Sequence, residues 1–188
     1  MSVIEKASDL WQTPPEYFAW MSHRFGPFDI DLFANQKNHL CPAYFTIEDN
    51  AFDQDWGRVL RGLPARCFAN PPYSAPNLPR FARKALDTVR ATPGSLVAGL
   101  FPASTGERWW QHFVLRASQI IFVSGRIPFL RPDGTVGKEN RYSHTIVVWE
   151  NQPCWHEPKP IWIDRDMIQL EGTRLLSQQN VQLSRQTA

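Results

Sequence analysis

The sequence predicts an α/β fold with a mainly parallel β-sheet, on three observations. Strand-like and helix-like stretches alternate between residues 65 and 123, the order that crossover helices between parallel strands produce. Several short apolar runs end abruptly in polar or proline-rich turns, as buried strands do where they emerge at one edge of such a sheet. The last strong apolar run, Thr145-Ile146-Val147-Val148-Trp149, has no helix before it and fits an antiparallel return strand.

The first ten residues show no pattern. In Trp11-Gln12-Thr13-Pro14-Pro15-Glu16, Thr13 is placed to cap a helix, Pro14 to occupy its first turn and Glu16 to complete a capping box. That helix runs from about Pro14 to His23, with Tyr17, Trp20 and Met21 on one face, and Gly26-Pro27 ends it. Phe28 to Phe33 reads as a buried strand running into the polar turn Ala34-Asn35-Gln36-Lys37-Asn38. Residues 35–60 are irregular, with Tyr44 and Phe45 either a short strand or a packing pair. Ala65 to Ala69 is the next strand, and a helix follows from about Leu78 to Arg90. Ser95 to Phe101 is a strand, Glu107 to Leu115 a helix and Ile120 to Val123 a further strand. Ile127 to Leu130 reads as a short edge segment, bounded by Pro132-Asp133-Gly134, and Ile161 to Ile163 as a short late strand. From Ser177 onward the chain is polar and is expected to fray.

A chain of 188 residues suits one domain around one core, here residues 1–188. With 20 basic and 18 acidic residues it lacks the general basic excess of a dedicated nucleic-acid binder. It can still hold DNA if a few arginines share one face. Cys41, Cys67 and Cys154 form no disulfide framework, no secretory leader opens the chain, and no apolar run approaches a membrane span. The expectation is a soluble cytoplasmic protein with no membrane partner. The eight tryptophans are mainly core residues.

The strongest local signal is Asn70-Pro71-Pro72-Tyr73, between a strand and a helix. The exocyclic amine of adenine or cytosine is a poor nucleophile, because its lone pair is delocalised into the ring. Acceptors on its two N–H bonds favour a tetrahedral, more nucleophilic nitrogen. The Asn70 side-chain oxygen can be one acceptor and the Pro71 carbonyl the other, aimed by the fixed φ of proline. Tyr73 can stack on the base. The competing reading is a loop that only turns the chain.

Together with that block, an ordered set of others resembles the phage-encoded Dam-type DNA N6-adenine methyltransferases over residues 11–149. The set comprises Trp11-Gln12-Thr13-Pro14, Asp31-Leu32-Phe33-Ala34 with Asn38, Cys41-Pro42-Ala43-Tyr44-Phe45-Thr46, Asp55-Trp56, Asn70-Pro71-Pro72-Tyr73-Ser74, Gly125-Arg126-Ile127 with Phe129, and Ile146-Val147-Val148-Trp149. The resemblance implies a Rossmann-like methyltransferase fold, S-adenosyl-L-methionine as cofactor, and adenine N6 in double-stranded DNA as acceptor. It puts Asp31, Phe33, Ala34 and Asn35 in the cofactor loop and Thr13 and Pro14 near the cofactor's methionine end. Asp55 is then placed to accept from the cofactor's adenine amine, and Asn70, Pro71, Pro72 and Tyr73 form the catalytic block. No glycine-rich loop follows the first strand, where Ala34 stands instead.

Residues 125–141 combine turn residues, basic groups and Phe129, and read as a short DNA-recognition loop. Arg126, Arg131, Lys138 and Arg141 are the DNA-facing candidates there, with Ser74 from the catalytic turn. Arg126 serves either phosphate contact or loop anchoring. The pairs His39/Cys41 and Cys154/His156 invite a zinc reading but are far apart and lack the usual spacing, so no metal is expected. Cytosine N4 methylation and a catalytically inactive DNA-binding module are the alternative functions. Recognition sequence and oligomeric state stay open.

Overall fold

The computed structural model describes residues 7–60, 63–137, 141–151 and 158–186. Within them β1 (Ile30–Asp31), β2 (Ala43–Tyr44), β3 (Arg66–Ala69), β4 (Leu96–Pro102), β5 (Gln119–Ser124), β6 (His144–Glu150) and β7 (Lys159–Asp164) form one sheet in the order β2-β1-β3-β4-β6-β5-β7. Strands β2, β1, β3 and β4 are parallel. β6 lies antiparallel between β4 and β5, and β7 is parallel to β5. The expected antiparallel return strand is therefore β6.

Side chains alternate across the sheet with the two-residue period of a strand. Val97 and Phe101 of β4 and Val147 and Trp149 of β6 face α2 (Asn77–Ala91) and α3 (Arg108–Phe113), joining Phe81 and Trp110 in one cluster. Leu96, Ala98 and Leu100 alternate with them and join Ile146 and Val148 in a second cluster. α1 (Pro15–Phe25) and α4 (Arg165–Gln186) cover that second face through Tyr17, Trp20, Met21 and Ile168. All seven residues of β4 are buried, which is why that stretch reads as a continuous apolar run.

Several expectations are corrected. α1 is capped by Pro14 and not by Thr13, whose hydroxyl makes no hydrogen bond among the described residues. The cause is Pro15, which keeps the residue before it out of the helical region and moves the cap forward by one. β1 is two residues long because the Asp31 carboxylate accepts the Phe33 N–H (3.3 Å) and turns the chain there. The polar stretch expected to fray from Ser177 is helical to Gln186, as the end of α4. α4 packs on α1 through Gly172, where a Cβ would collide with the Glu16 backbone, and through Trp20 Nε1, which donates to Glu171 (2.8 Å). Its remaining apolar residues make no clear stripe, so periodicity does not reveal it: Met167, Leu170, Val181 and Leu183 are all exposed. No helix among the described residues is long and apolar enough to cross a membrane.

The chain leaves β1 toward β2 on one side and returns to β3 on the other. The strand order thus reverses between β1 and β3, and in open α/β sheets ligands bind outside the carboxyl ends of the strands at such a point. The β1 and β3 ends carry the Asp31–Asn35 loop and the Asn70–Tyr73 block. Because β6 runs the other way, its first residue, His144, lies at this same edge, opposite Pro102.

Candidate active site

Asp31 organises the β1 side. It is buried, and its two oxygens accept from the backbone N–H groups of Phe33 (3.3 Å) and Leu40 (3.2 Å). Burial raises its pKa to about 6, against the pull of those two N–H groups and of His39. Ala34 N donates to Phe45 O (3.0 Å) and Asn35 N to Asn38 Oδ1 (2.7 Å), while Asn35 Oδ1 accepts from Lys37 N (2.8 Å). No residue of this loop has a positive φ, so it has no need of the missing glycines.

Phe33 connects this loop to a neighbouring groove. Its ring packs on Phe52 (5.3 Å between centroids), Trp56 (6.1 Å) and Phe81 (5.9 Å). The groove measures about 620 Å³ and is lined by Phe52, Asp53, Asp55, Trp56, Arg80 and Lys84 among others. Asp55 is exposed there, with one oxygen accepting from Gly57 N (3.1 Å). Asp55 thus lines the groove whose Phe52 and Trp56 pack against Phe33.

The β3 side is the Asn70 block. Asn70 Nδ2 donates to the Trp11 carbonyl (3.2 Å), and Asn70 Oδ1 accepts from the Tyr73 hydroxyl (2.9 Å). The amide is held at both ends, and its oxygen keeps a second lone pair for another donor. The Tyr73 hydroxyl also lies 3.4 Å from the Leu100 carbonyl. Burial pushes the Tyr73 pKa well above its usual 10, so the phenol stays a donor. Its ring remains partly exposed, and Pro71 is buried beside it.

The segment before α1 closes over the Asn70 block. The Asp9 carboxylate accepts from Tyr73 N (3.0 Å) and Ser74 N (3.1 Å). Thr13 follows at 5 % exposure with its hydroxyl unpartnered, and Pro14 is buried next to it. A buried hydroxyl without a partner is costly unless a ligand meets it. The unpartnered Thr13 hydroxyl therefore fits a polar group of a cofactor at this turn.

His144 closes the site from β6. It is 1 % exposed, its ring lies 4.9 Å from Phe129 and 5.7 Å from Tyr73, and neither nitrogen has a hydrogen-bond partner among the described residues. Burial holds its pKa down at about 4, against the weaker influence of the Tyr142 backbone, so the ring is neutral.

The recognition-loop residues separate. Leu130 pairs antiparallel with both Gln12 and Val136, making a small ribbon whose tip turns at Gly134 with φ +83°. Arg131 braces that ribbon through Thr135 and Val136. Arg126 donates to Ser143 Oγ (2.6 Å), an anchoring contact, and its carbonyl accepts from Arg165 (2.9 Å). Arg141 is exposed, and Lys138 lies outside the described residues. Ser74 Oγ accepts from Asn77 at the start of α2 (3.1 Å). Of the zinc pairs, His39 is engaged by the Cys41 carbonyl (2.8 Å) and stacks on Tyr44 (4.3 Å); Cys154 and His156 lie outside the described residues.

Sequence reasoning missed Asp9, Phe52 and His144. Asp9 and Phe52 stand in stretches without pattern, so no signal marked them. His144 was visible as a histidine opening an otherwise apolar strand.

A Rossmann-like sheet with a reversed strand inserted before its edge, carrying an Asn-Pro-Pro-Tyr loop at the switch point, defines an S-adenosylmethionine-dependent methyltransferase. The sequence profile of the family described as DNA N-6-adenine-methyltransferase (Dam) matches residues 2–173, and the chain belongs to that family. It is 30% identical over 168 residues to the DNA N-6-adenine-methyltransferase of Haemophilus phage HP1 (strain HP1c1), covering 87% of this chain and 91% of the relative. It is 28% identical over 145 residues to the DNA N-6-adenine-methyltransferase of Escherichia phage T1, covering 69% of this chain and 56% of the relative. A putative methyltransferase of Escherichia coli (strain K12), YfdM, is 43% identical over 70 residues, 37% of this chain and 77% of the relative.

Proposed function

We propose that the chain methylates adenine N6 in double-stranded DNA at the Asn70 block, on a base turned out of the duplex. The observation that carries this reading is the Asn70 amide, whose nitrogen is bound to Trp11 O and whose oxygen accepts from the Tyr73 hydroxyl with a lone pair to spare. A base inside the stack cannot reach a donor seated behind β1, so the base must leave the helix.

S-adenosylmethionine supplies a methyl group activated by a positive sulfonium. The Thr13 hydroxyl and the Asp31–Asn35 loop would hold its methionine end, and Phe33 with Asp55 would border its adenine. Tyr73 presents a partly exposed ring for the target base and, through its hydroxyl, keeps Asn70 Oδ1 in place. Asn70 Oδ1 and the Pro71 carbonyl accept the two N–H bonds of the amine as it becomes tetrahedral. They thereby stabilise the positive charge that develops there. Arg126, Arg131, Lys138 and Arg141 supply phosphate or base-edge contacts from the 125–141 loop.

Duplex DNA incubated with the protein and labelled cofactor, digested to nucleosides, should yield N6-methyladenine. N4-methylcytosine as the product would transfer the same chemistry to the other base. No labelled nucleoside from DNA of mixed sequence would end the reading.

A further inference from the structure

Pro71 and Pro72 have no N–H, so the backbone donors of the catalytic turn are those of Tyr73 and Ser74. Both donate to one carboxylate oxygen, Asp9 Oδ1, at 3.0 and 3.1 Å. Two residues further on, the Trp11 carbonyl accepts from Asn70 Nδ2 at 3.2 Å. The next residue, Gln12, exchanges backbone hydrogen bonds with Leu130 in both directions (2.8 and 3.0 Å). One short segment thus grips the catalytic block at both ends and is stitched to the ribbon of the candidate recognition loop.

From this geometry we infer that Asp9 is a positioning residue for methyl transfer, setting the tilt of the Pro71–Tyr73 turn; the inference rests on the Asn70 block being the catalytic one. Hydrogen bonds from N–H to an ionised acceptor are shorter and stronger than neutral ones. Two of them on adjacent amides anchor the Pro72–Tyr73 and Tyr73–Ser74 peptides, the planes on either side of the Tyr73 Cα. Those planes set the position of the Tyr73 ring, and the fixed φ of Pro72 passes their restraint back to the Pro71–Pro72 peptide, whose carbonyl is the second acceptor. In-line transfer tolerates little misplacement, so a loosened turn lowers turnover while the cofactor loop, built around Asp31, is untouched. A carboxylate in this position also explains why the acid is supplied from outside the turn. The turn's own side-chain acceptors are committed elsewhere: Asn70 Oδ1 takes Tyr73 and keeps its second lone pair for the target amine, and Ser74 Oγ takes Asn77.

The test is single-turnover methyl transfer from labelled cofactor at saturating and limiting DNA, with cofactor affinity and a thermal melt, on the full chain and on Asp9→Ala and Asp9→Asn. Asp9→Ala should lower the rate at saturating DNA by about 10- to 100-fold, the size of effect that small misplacement produces. Its cofactor affinity and melt should stay close to wild type. Asp9→Asn keeps an oxygen that accepts both N–H groups and should restore the rate to within about fivefold, a neutral acceptor being weaker than an ionised one. An Asp9→Ala rate within twofold of wild type overturns the inference. So does a loss that tracks the melt or the cofactor affinity, and so does an Asp9→Asn variant as slow as Asp9→Ala. Asn70→Ala run alongside separates the two levels. If that variant methylates normally, the block is not the catalytic one; if it is inactive while Asp9→Ala is normal, only the role of Asp9 falls.

Discussion

Two buried ionisable groups meet the same edge of the sheet and are held in opposite ways. Asp31, at the end of β1, spends both oxygens on the backbone N–H groups of its own loop. His144, at the start of β6, has no hydrogen bond of ordinary geometry to either ring nitrogen among the described residues, only a weaker pull from the Tyr142 backbone. Burial pushes each toward neutrality, raising Asp31 to about 6 and lowering His144 to about 4. The difference teaches how the edge divides its work. The β1 side assembles itself before any ligand arrives, whereas the β6 side carries an unmatched polar ring beside Tyr73.

The largest expected effect breaks the comparison on the target side. Asn70→Ala removes an acceptor whose contact strengthens only as the nitrogen becomes tetrahedral. It should cost about 3–4 kcal/mol of barrier, two to three orders of magnitude in single-turnover rate, with cofactor affinity nearly unchanged. A variant that merely melts lower and methylates within a few-fold of wild type would reduce the block to a turn.

The next effect sharpens the contrast between the two groups through pH. Asp31 has a raised pKa in the fold, so the stability it contributes is full below 3.8 and is lost as pH rises through about 6. His144 has a lowered one, so its contribution is full above 6.5 and is lost as pH falls through about 4. Each amounts to about 3 kcal/mol at most, and between pH 4 and 6 they oppose each other. Relative to wild type, Asp31→Asn should therefore gain stability as pH rises across that window. His144→Phe should lose it. Urea midpoints at half-unit pH steps would show the two difference curves diverging; parallel curves would mean that the two groups are not held as described.

The smallest effect concerns Thr13, whose hydroxyl is buried and unpartnered. Thr13→Val should leave the protein as stable or slightly more so, because an unmatched polar group is removed. Cofactor affinity should fall by about five- to tenfold, the worth of one hydrogen bond. Calorimetry with a parallel melt distinguishes this from a packing role, in which both quantities would fall together.

Legibility followed the range of the interactions. β3, β4 and β6 could be read because a strand buried on both faces must be apolar at every position, and that is a local property. The Asn70 block could be read because strand end, prolines and tyrosine are contiguous. Thr13 could not be read correctly, because it suits a cap in isolation and only the rigid Pro14-Pro15 pair moves the cap past it. β7 is mostly exposed and α4 shows no single apolar face, so neither carries a pattern strong enough to fix its length.

By itself, then, the sequence determined the alternating α/β architecture, the reversed last central strand and the place of the Asn70 block at a strand end, because burial periodicity and turn chemistry act between near neighbours. Only the tertiary structure decided that Asp9 grips a turn 64 residues away, that Gln12 is stitched to Leu130, and that His144 is enclosed beside Tyr73 and Phe129. Those contacts exist because sheet order brings the ends of β1, β3, β4 and β6 to one edge. An acid or a histidine is an ordinary residue until the fold chooses what stands opposite it.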